Sequence, residues 1–140
     1  MTLNTRSLSK LDGVHPDLVR VILRAAGIYK GQFIITEGVR ALEKQKQLKA
    51  IGASTTMRSR HLVESNACKM ACAVDLAVWL DDGDGVSEAG EIRWDWPLYE
   101  GLAVAVKEAA QAEGVSVEWG GDWATFKDGP HFQLPWGEYP

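Results

Sequence analysis

Within residues 117–134, VEWGGDWATFKDGPHFQL, a carboxylate and an imidazole stand three residues apart, at Asp128 and His131, among aromatics and glycines. That spacing suits a metal ligand with an acid/base partner beside it, and residues 131–134 read as a short strand able to hold the imidazole. One segment cannot complete a metal site, and the chain has only three histidines, His15, His61 and His131. His15 directly precedes Pro16 at a helix start, where capping or packing is its expected role. A further donor is Asp75, the one charged residue in the apolar run ACAVDLAVWL at 71–80. A lone carboxylate in such a run is costly unless it is paired or bound to a metal. Two imidazoles and one carboxylate make a common catalytic zinc set, with the fourth position left for water. On the residues alone, a hydrogen-bonded core aspartate with two unrelated histidines is an equal alternative.

The elements that must position these groups follow from periodicity. Leu18, Val19, Ile22, Leu23 and Ala26 recur at helical spacing between Pro16 and Gly27, which predicts an amphipathic helix. Residues 33–36, FIIT, read as a strand running into EGVR, where Arg40 is a candidate site residue. Residues 41–50 form a polar surface helix ended by Gly52, and 53–60 read as a loop delivering Ser59 and His61. The run at 71–80 is a strand, with 91–94 as its return. Asp95-Trp96-Pro97 opens a helix to about residue 113 with Leu98, Leu102, Ala105, Val106 and Ala109 on one face, stopped by Gly114. Residues 115–119 read as a further strand. Helices and short strands without regular βαβ alternation predict an α+β fold: a single compact domain over residues 1–140, with helices flanking a small antiparallel sheet.

Composition narrows the partners. At 140 residues the chain can bury about two-thirds of the surface its unfolded form exposes, so it needs no staple. An apolar fraction of 46% and a charged fraction of 24% are those of a globular protein. A formal net charge of −4 argues against nucleic acid as a partner, because phosphate binding needs clustered Lys and Arg. No window approaches the ~20 apolar residues of a membrane span, and the first residues lack the apolar run of a signal peptide. Synthesis in a cytoplasm, no membrane insertion and a monomer are expected. Cys68 and Cys72 are expected as free thiols in a reducing cytosol, with a disulfide after release as the alternative. The acidic residues 81–91, DDGDGVSEAGE, leave two readings, a calcium (Ca2+) loop and a solvated turn.

Several blocks occur in a telling order. Ser59-Arg60-His61, Ala73-Val74-Asp75, Trp119-Gly120-Gly121-Asp122-Trp123 and Asp128-Gly129-Pro130-His131-Phe132 resemble the S-x-H, A-x-D, W-G-G-D-W and D-x-P-H-F blocks of zinc peptidases related to D-alanyl-D-alanine carboxypeptidases. Within that group the chain is most similar to the L-alanyl-D-glutamate peptidases used as phage endolysins, and Val14-His15-Pro16, Glu37-Gly38-Val39-Arg40 and Gln45 also fit. The resemblance implies one zinc (Zn2+) per chain held by His61, Asp75 and His131, Asp128 as catalytic base, and Arg40 and Ser59 on the substrate or its developing oxyanion. Trp119 and Trp123 would shape the cleft wall, with aromatic core packing an equal alternative for each. It further implies bacterial peptidoglycan as the partner, cleavage of the stem peptide at the L-alanyl-D-glutamate bond, and action on the wall after release from the host bacterial cytoplasm. A D,D- or L,D-carboxypeptidase or dipeptidase, and a non-catalytic zinc-binding module of the same fold, are the rival readings.

One departure stands out. The family pattern S-x-H-x-x-G-x-A-x-D has seven positions from His to Asp, whereas His61 and Asp75 are fourteen apart and Ala71 replaces the glycine. The extra residues fall within 62–70 and are expected to form a surface loop, since loop-closure entropy grows slowly with length. A thiolate from Cys68 or Cys72 is left as an alternative ligand.

Overall fold

The computed structural model describes residues 3–54, 59–80 and 89–140. Most of the acidic segment at 81–91, read above as a calcium loop or a solvated turn, lies outside the described residues, as does the middle of the 53–60 loop. Helices α1 (Thr5–Ser9), α2 (Pro16–Ile28), α3 (Leu42–Ala50) and α4 (Trp96–Glu113) accompany strands β1 (Phe33–Glu37), β2 (Ala73–Trp79), β3 (Ile92–Arg93), β4 (Glu118–Trp119) and β5 (His131–Gln133). This is the α+β arrangement expected, with every strand pair antiparallel.

Helix α2 starts where the sequence said it would. Pro16 occupies its first turn, and His15 caps it, Nδ1 accepting from the Asp17 N–H at 3.1 Å. Its buried residues Leu18, Val21, Ile22, Ala25 and Ala26 form one stripe, which packs beside the stripe of α4 that includes Leu102, Val106 and Ala109. Gly114 ends α4 in the left-handed conformation, φ 69°. The N-terminal helix α1 was not legible beforehand. Its Ser7 Oγ accepts from the Ile35 N–H at 3.0 Å, satisfying a donor on the edge strand β1.

Strand β2 is the spine of the sheet. One edge pairs with β1, and the other is shared between β5 at residues 73–75 and β3 at 78–79. Alternation sends Val74, Leu76 and Val78 into the helix-covered core with Phe132 and Leu134. The opposite face carries Ala73, Asp75 and Ala77, and here the sheet builds its polar row. A bulge between Ile35 and Glu37 places Glu37, rather than Thr36, opposite Asp75. Asp75 in turn lies opposite His131. Without the extra residue Glu37 would point into the apolar core.

The expected strand at 115–119 is confined to Glu118–Trp119. The Val115 N–H is already bonded to the Ala110 carbonyl in the cap of α4, and β5 offers β4 only the partners Phe132 and Gln133. The 62–70 insertion is also more ordered than a solvated loop. Leu62 and Asn66 are each 1% exposed, and a 3-10 turn spans Val63–Ser65. The Asn66 amide donates to the carbonyls of Arg60, Leu62 and Met70, while its oxygen accepts from Arg60 Nη1 at 2.6 Å. Asn66→Ala would remove all four of these hydrogen bonds at once, each worth about 0.5–1.5 kcal/mol, although the Arg60 and Leu62 carbonyls keep the N–H groups of Cys72 and Ser65. We expect a loss of at least about 2 kcal/mol in denaturant unfolding; a loss below about 0.5 kcal/mol would show that the insertion does not depend on this residue.

Candidate metal centre and cleft

Strand register brings Asp75 and His131 side by side, and the turn before the insertion delivers His61 to the same face. One donor atom from each of His61, Asp75 and His131 lies within 4.8 Å of the others, and among the described residues no cysteine joins this group. His61 Nε2 is 3.3 Å and His131 Nδ1 3.2 Å from Asp75 Oδ1. Ligands about 2.0 Å from a tetrahedral zinc are separated by roughly 3.3 Å, and both separations from Asp75 match that value.

Outer partners fix which nitrogen of each ring faces inward. His61 Nδ1 is 2.8 Å from the Gly38 carbonyl, which can only accept, so Nδ1 carries the proton and Nε2 is free to ligate. Gly38 has no room for a Cβ, which would run into the Lys10 carbonyl. The Arg40 N–H donates back to the His61 carbonyl at 3.0 Å. On the other side, His131 Nε2 donates to Gln133 Oε1 at 2.8 Å, while the Gln133 amide nitrogen donates to Glu118 Oε2 at 3.4 Å. That orientation leaves Nδ1 of His131 for a metal. Gln133 was missed in the sequence, although its place two residues beyond His131 puts it on the same strand face.

Arg40 is held rather than mobile. Glu37 Oε1 accepts from its Nε at 2.8 Å and also pairs with Nη2, and Gln45 Oε1 accepts from Nη1 at 2.7 Å. The guanidinium ends 3.9 Å from Asp75 Oδ2. Gln45, fully buried, is how the polar helix α3 docks. Arg60, which also lines the cleft, is tied to other partners. It donates to the carbonyls of Leu134 and Tyr139 and lies 3.9 Å over the Trp136 ring, so it ties the chain's end to the His61 segment.

The three donors open on a cleft of about 510 Å³ whose lining includes Arg40, Ser59, Trp123, Phe126 and Asp128. The Ser59 hydroxyl accepts from the His61 N–H at 3.2 Å. Trp123 stacks at a tilt on His131, ring centroids 5.1 Å apart. Trp119 does not line the cleft. It is buried behind it, donating from Nε1 to the Gly129 carbonyl at 2.7 Å and packing on Trp96, so it props the Asp128–His131 turn. Gly120 and Gly121 are required there, because a Cβ on either would strike the Asp128 carbonyl or the Trp119 ring. Phe126, at φ 51° and 70% exposed, holds its ring at the cleft rim in a conformation bulky residues rarely adopt.

Electrostatics separate the two aspartates. Burial opposes charge on Asp75, but hydrogen bonds from His131 and His61 outweigh it and hold its carboxyl well below the usual range. Burial raises Asp128, reinforced by the negative charge of Asp75. His131 loses basicity to burial yet is raised on balance by its bond to Asp75. In metal-stripped protein the lowered Asp75 therefore adds stability that is complete above about pH 3.9 and is lost as pH falls through its native value. The raised His131 adds stability that is complete below about pH 6.5 and is lost as pH rises through its native value. Denaturant midpoints of the stripped protein should peak between about pH 4 and 6.5 and fall toward pH 8; a steady rise from pH 6 to 8 would contradict the pairing.

Comparison with known proteins identifies the family. Residues 1–134 match the family described as phage L-alanyl-D-glutamate peptidase. An L-alanyl-D-glutamate peptidase of Listeria phage A118 is 34% identical over 108 residues, 77% of this chain and 32% of that protein. The peptidoglycan L-alanyl-D-glutamate endopeptidase CwlK of Bacillus subtilis is 32% identical over 120 residues, 80% of this chain and 66% of that protein. The chain thus spans 32% and 66% of the lengths of these two relatives. The solved Serratia marcescens L-Ala D-Glu endopeptidase ChiX is 42% identical and superposes with a TM-score of 0.83, covering 100% of this chain and 94% of that one. With the match running across nearly all of its length, this chain belongs to the phage L-alanyl-D-glutamate peptidase family.

Proposed function

We propose that this chain is a zinc-dependent peptidoglycan endopeptidase that cleaves the L-alanyl-D-glutamate bond of the stem peptide and serves as a phage endolysin in host-cell lysis. The observation that carries the reading is the convergence of His61 Nε2, Asp75 Oδ1 and His131 Nδ1 in a cleft that also holds Asp128 and Arg40. Family membership points the same way. The reading takes residues 1–140 as one domain binding one zinc, acting as a monomer on the wall after release from the cytoplasm where it is made. No helix among the described residues is long and apolar enough to cross a membrane, in keeping with passage by another route.

Bound there, zinc would supply a Lewis acid for the scissile carbonyl and bring the pKa of a coordinated water near 7. Asp128 takes the proton of the attacking water and passes it to the leaving amine, and its raised pKa suits it to both roles. Arg40, locked by Glu37 and Gln45, presents a fixed positive charge to the oxyanion that develops at the carbonyl. Ser59 hydrogen-bonds the peptide, while Trp123 and the exposed Phe126 ring wall it in. A carboxylate with raised pKa beside the donors is what a purely structural zinc module would not need.

The test is mass analysis of fragments released from purified peptidoglycan by the zinc-loaded protein. New N-terminal D-glutamate, with L-alanine left on the glycan, is expected. Release of a terminal D-alanine alone would instead assign a carboxypeptidase.

A further inference from the structure

The 62–70 insertion lies between two of the three donor residues, and it brings the chain's two cysteines together. Cys68 is exposed, Cys72 is fully buried one residue before β2, and their sulfurs are 3.8 Å apart. This approach is built into the backbone. Lys69 turns the chain between them in the left-handed conformation, φ 59°. The Asn66 amide grips the Met70 carbonyl, the Ala67 N–H donates to the Pro140 carbonyl at 3.0 Å, and the Cys72 N–H donates to the Arg60 carbonyl at 2.8 Å. The Cys72 carbonyl in turn accepts from the Leu134 N–H at 2.9 Å. Both thiols therefore hang from anchored main chain. Closing 3.8 Å to a covalent S–S distance of about 2.05 Å is within reach of side-chain rotation.

We propose that Cys68 and Cys72 form an oxidisable pair, converted by a small-molecule disulfide into an intramolecular disulfide that ties the end of the insertion to the residue before β2. The exposed Cys68, as thiolate, attacks one sulfur of the oxidant and expels one thiolate, giving a mixed disulfide. Cys72 then loses its proton and attacks the Cys68 sulfur, expelling the second. Two protein thiols are oxidised, the oxidant is reduced to two thiols, and the two protons end on them. Burial pushes the Cys72 thiol up to about 11, which agrees with its acting second. The clip joins the end of the insertion to the start of the Asp75 strand, next to the carbonyl that holds Leu134 of the His131 segment. Its timing, open in a reducing cytosol and closed in an oxidising space after release, rests on the endolysin reading; the bond itself does not.

The experiment treats the full-length zinc-loaded protein with excess oxidised glutathione, then counts thiols and measures intact mass. Loss of both thiols, a mass lower by about 2 Da, no retained glutathione and recovery with dithiothreitol are expected. Cys72→Ser should keep one glutathione on Cys68. Cys68→Ser, whose exposed substitution leaves the buried sulfur in place, should take up none. The oxidised wild type should also show a higher denaturant midpoint than the reduced form, with no such difference in Cys68→Ser. Wild type that stably carries glutathione on Cys68, forms disulfide-linked dimers or keeps both thiols would overturn the pair. An unchanged midpoint would overturn the clip. Peptidoglycan cleavage enters none of these readouts, so failure of the peptidase reading would leave them interpretable.

Discussion

Replacing Asp128 by asparagine is expected to abolish most peptidoglycan cleavage while leaving the metal and the fold in place. The side chain keeps its size and polarity but can no longer take a proton, and a positioned general acid/base contributes ~10²–10⁴-fold. The backbone of Asp128 does separate work: its N–H donates to the Gly120 carbonyl at 3.0 Å and its carbonyl accepts from the His131 N–H at 3.2 Å. Those bonds survive the substitution, so His131 stays in register. Removing a charge beside Asp75 also removes the repulsion that helps raise the pKa of Asp128, so stability should not fall. Zinc per chain and the denaturant midpoint, measured beside turnover, separate a chemical effect from a structural one. Turnover within about threefold of wild type, far short of that span, would remove Asp128 from the mechanism.

How far the sequence foretold this arrangement depends on what each residue's role requires. Helices α2 and α4 were legible because their stripes repeat over many residues and are bounded by Pro16 and Gly114. Strand β2 was legible as an apolar run, and Asp75 stood out because it broke that run. The polar residues that position the site left weaker traces. Gln45 sits in a helix that reads as solvent-facing, yet it is fully buried because Arg40 and Ser54 satisfy it from other segments. Gln133 is likewise settled by strand register and by Glu118 from another strand, and Asn66 by groups four to six residues away in an aperiodic turn. The two tryptophans of the W-G-G-D-W block were ambiguous for a physical reason: a 3-10 turn at Gly120–Asp122 separates them, so no strand or helix period relates their directions. The bulge that turns Glu37 toward Arg40 is invisible in residue types alone.

The metal shell itself is tested at His61. His61→Ala is expected to lose both stoichiometric zinc and cleavage, because it leaves one imidazole and one carboxylate, and catalytic zinc is ordinarily held by three protein ligands. The cost to cleavage should exceed that of Asp128→Asn, since Lewis-acid stabilisation worth several kcal/mol goes with the ion and each 1.36 kcal/mol is tenfold in rate. The fold should tolerate the change better than the 1% exposure of His61 suggests. The Arg40 N–H bonds to the His61 backbone carbonyl, and the lost ring leaves the Gly38 carbonyl without its partner and takes one of the two imidazoles from Asp75, which keeps His131. His15→Ala provides the matching control. His15 caps α2 through Nδ1, so its loss should cost about 1 kcal/mol of stability while zinc content and turnover stay at wild-type levels. Elemental analysis after dialysis, with a spectroscopic check of fold, reads the contrast directly. If His61→Ala retains one zinc per chain, the ion is held elsewhere and the ligand set His61, Asp75 and His131 must be abandoned.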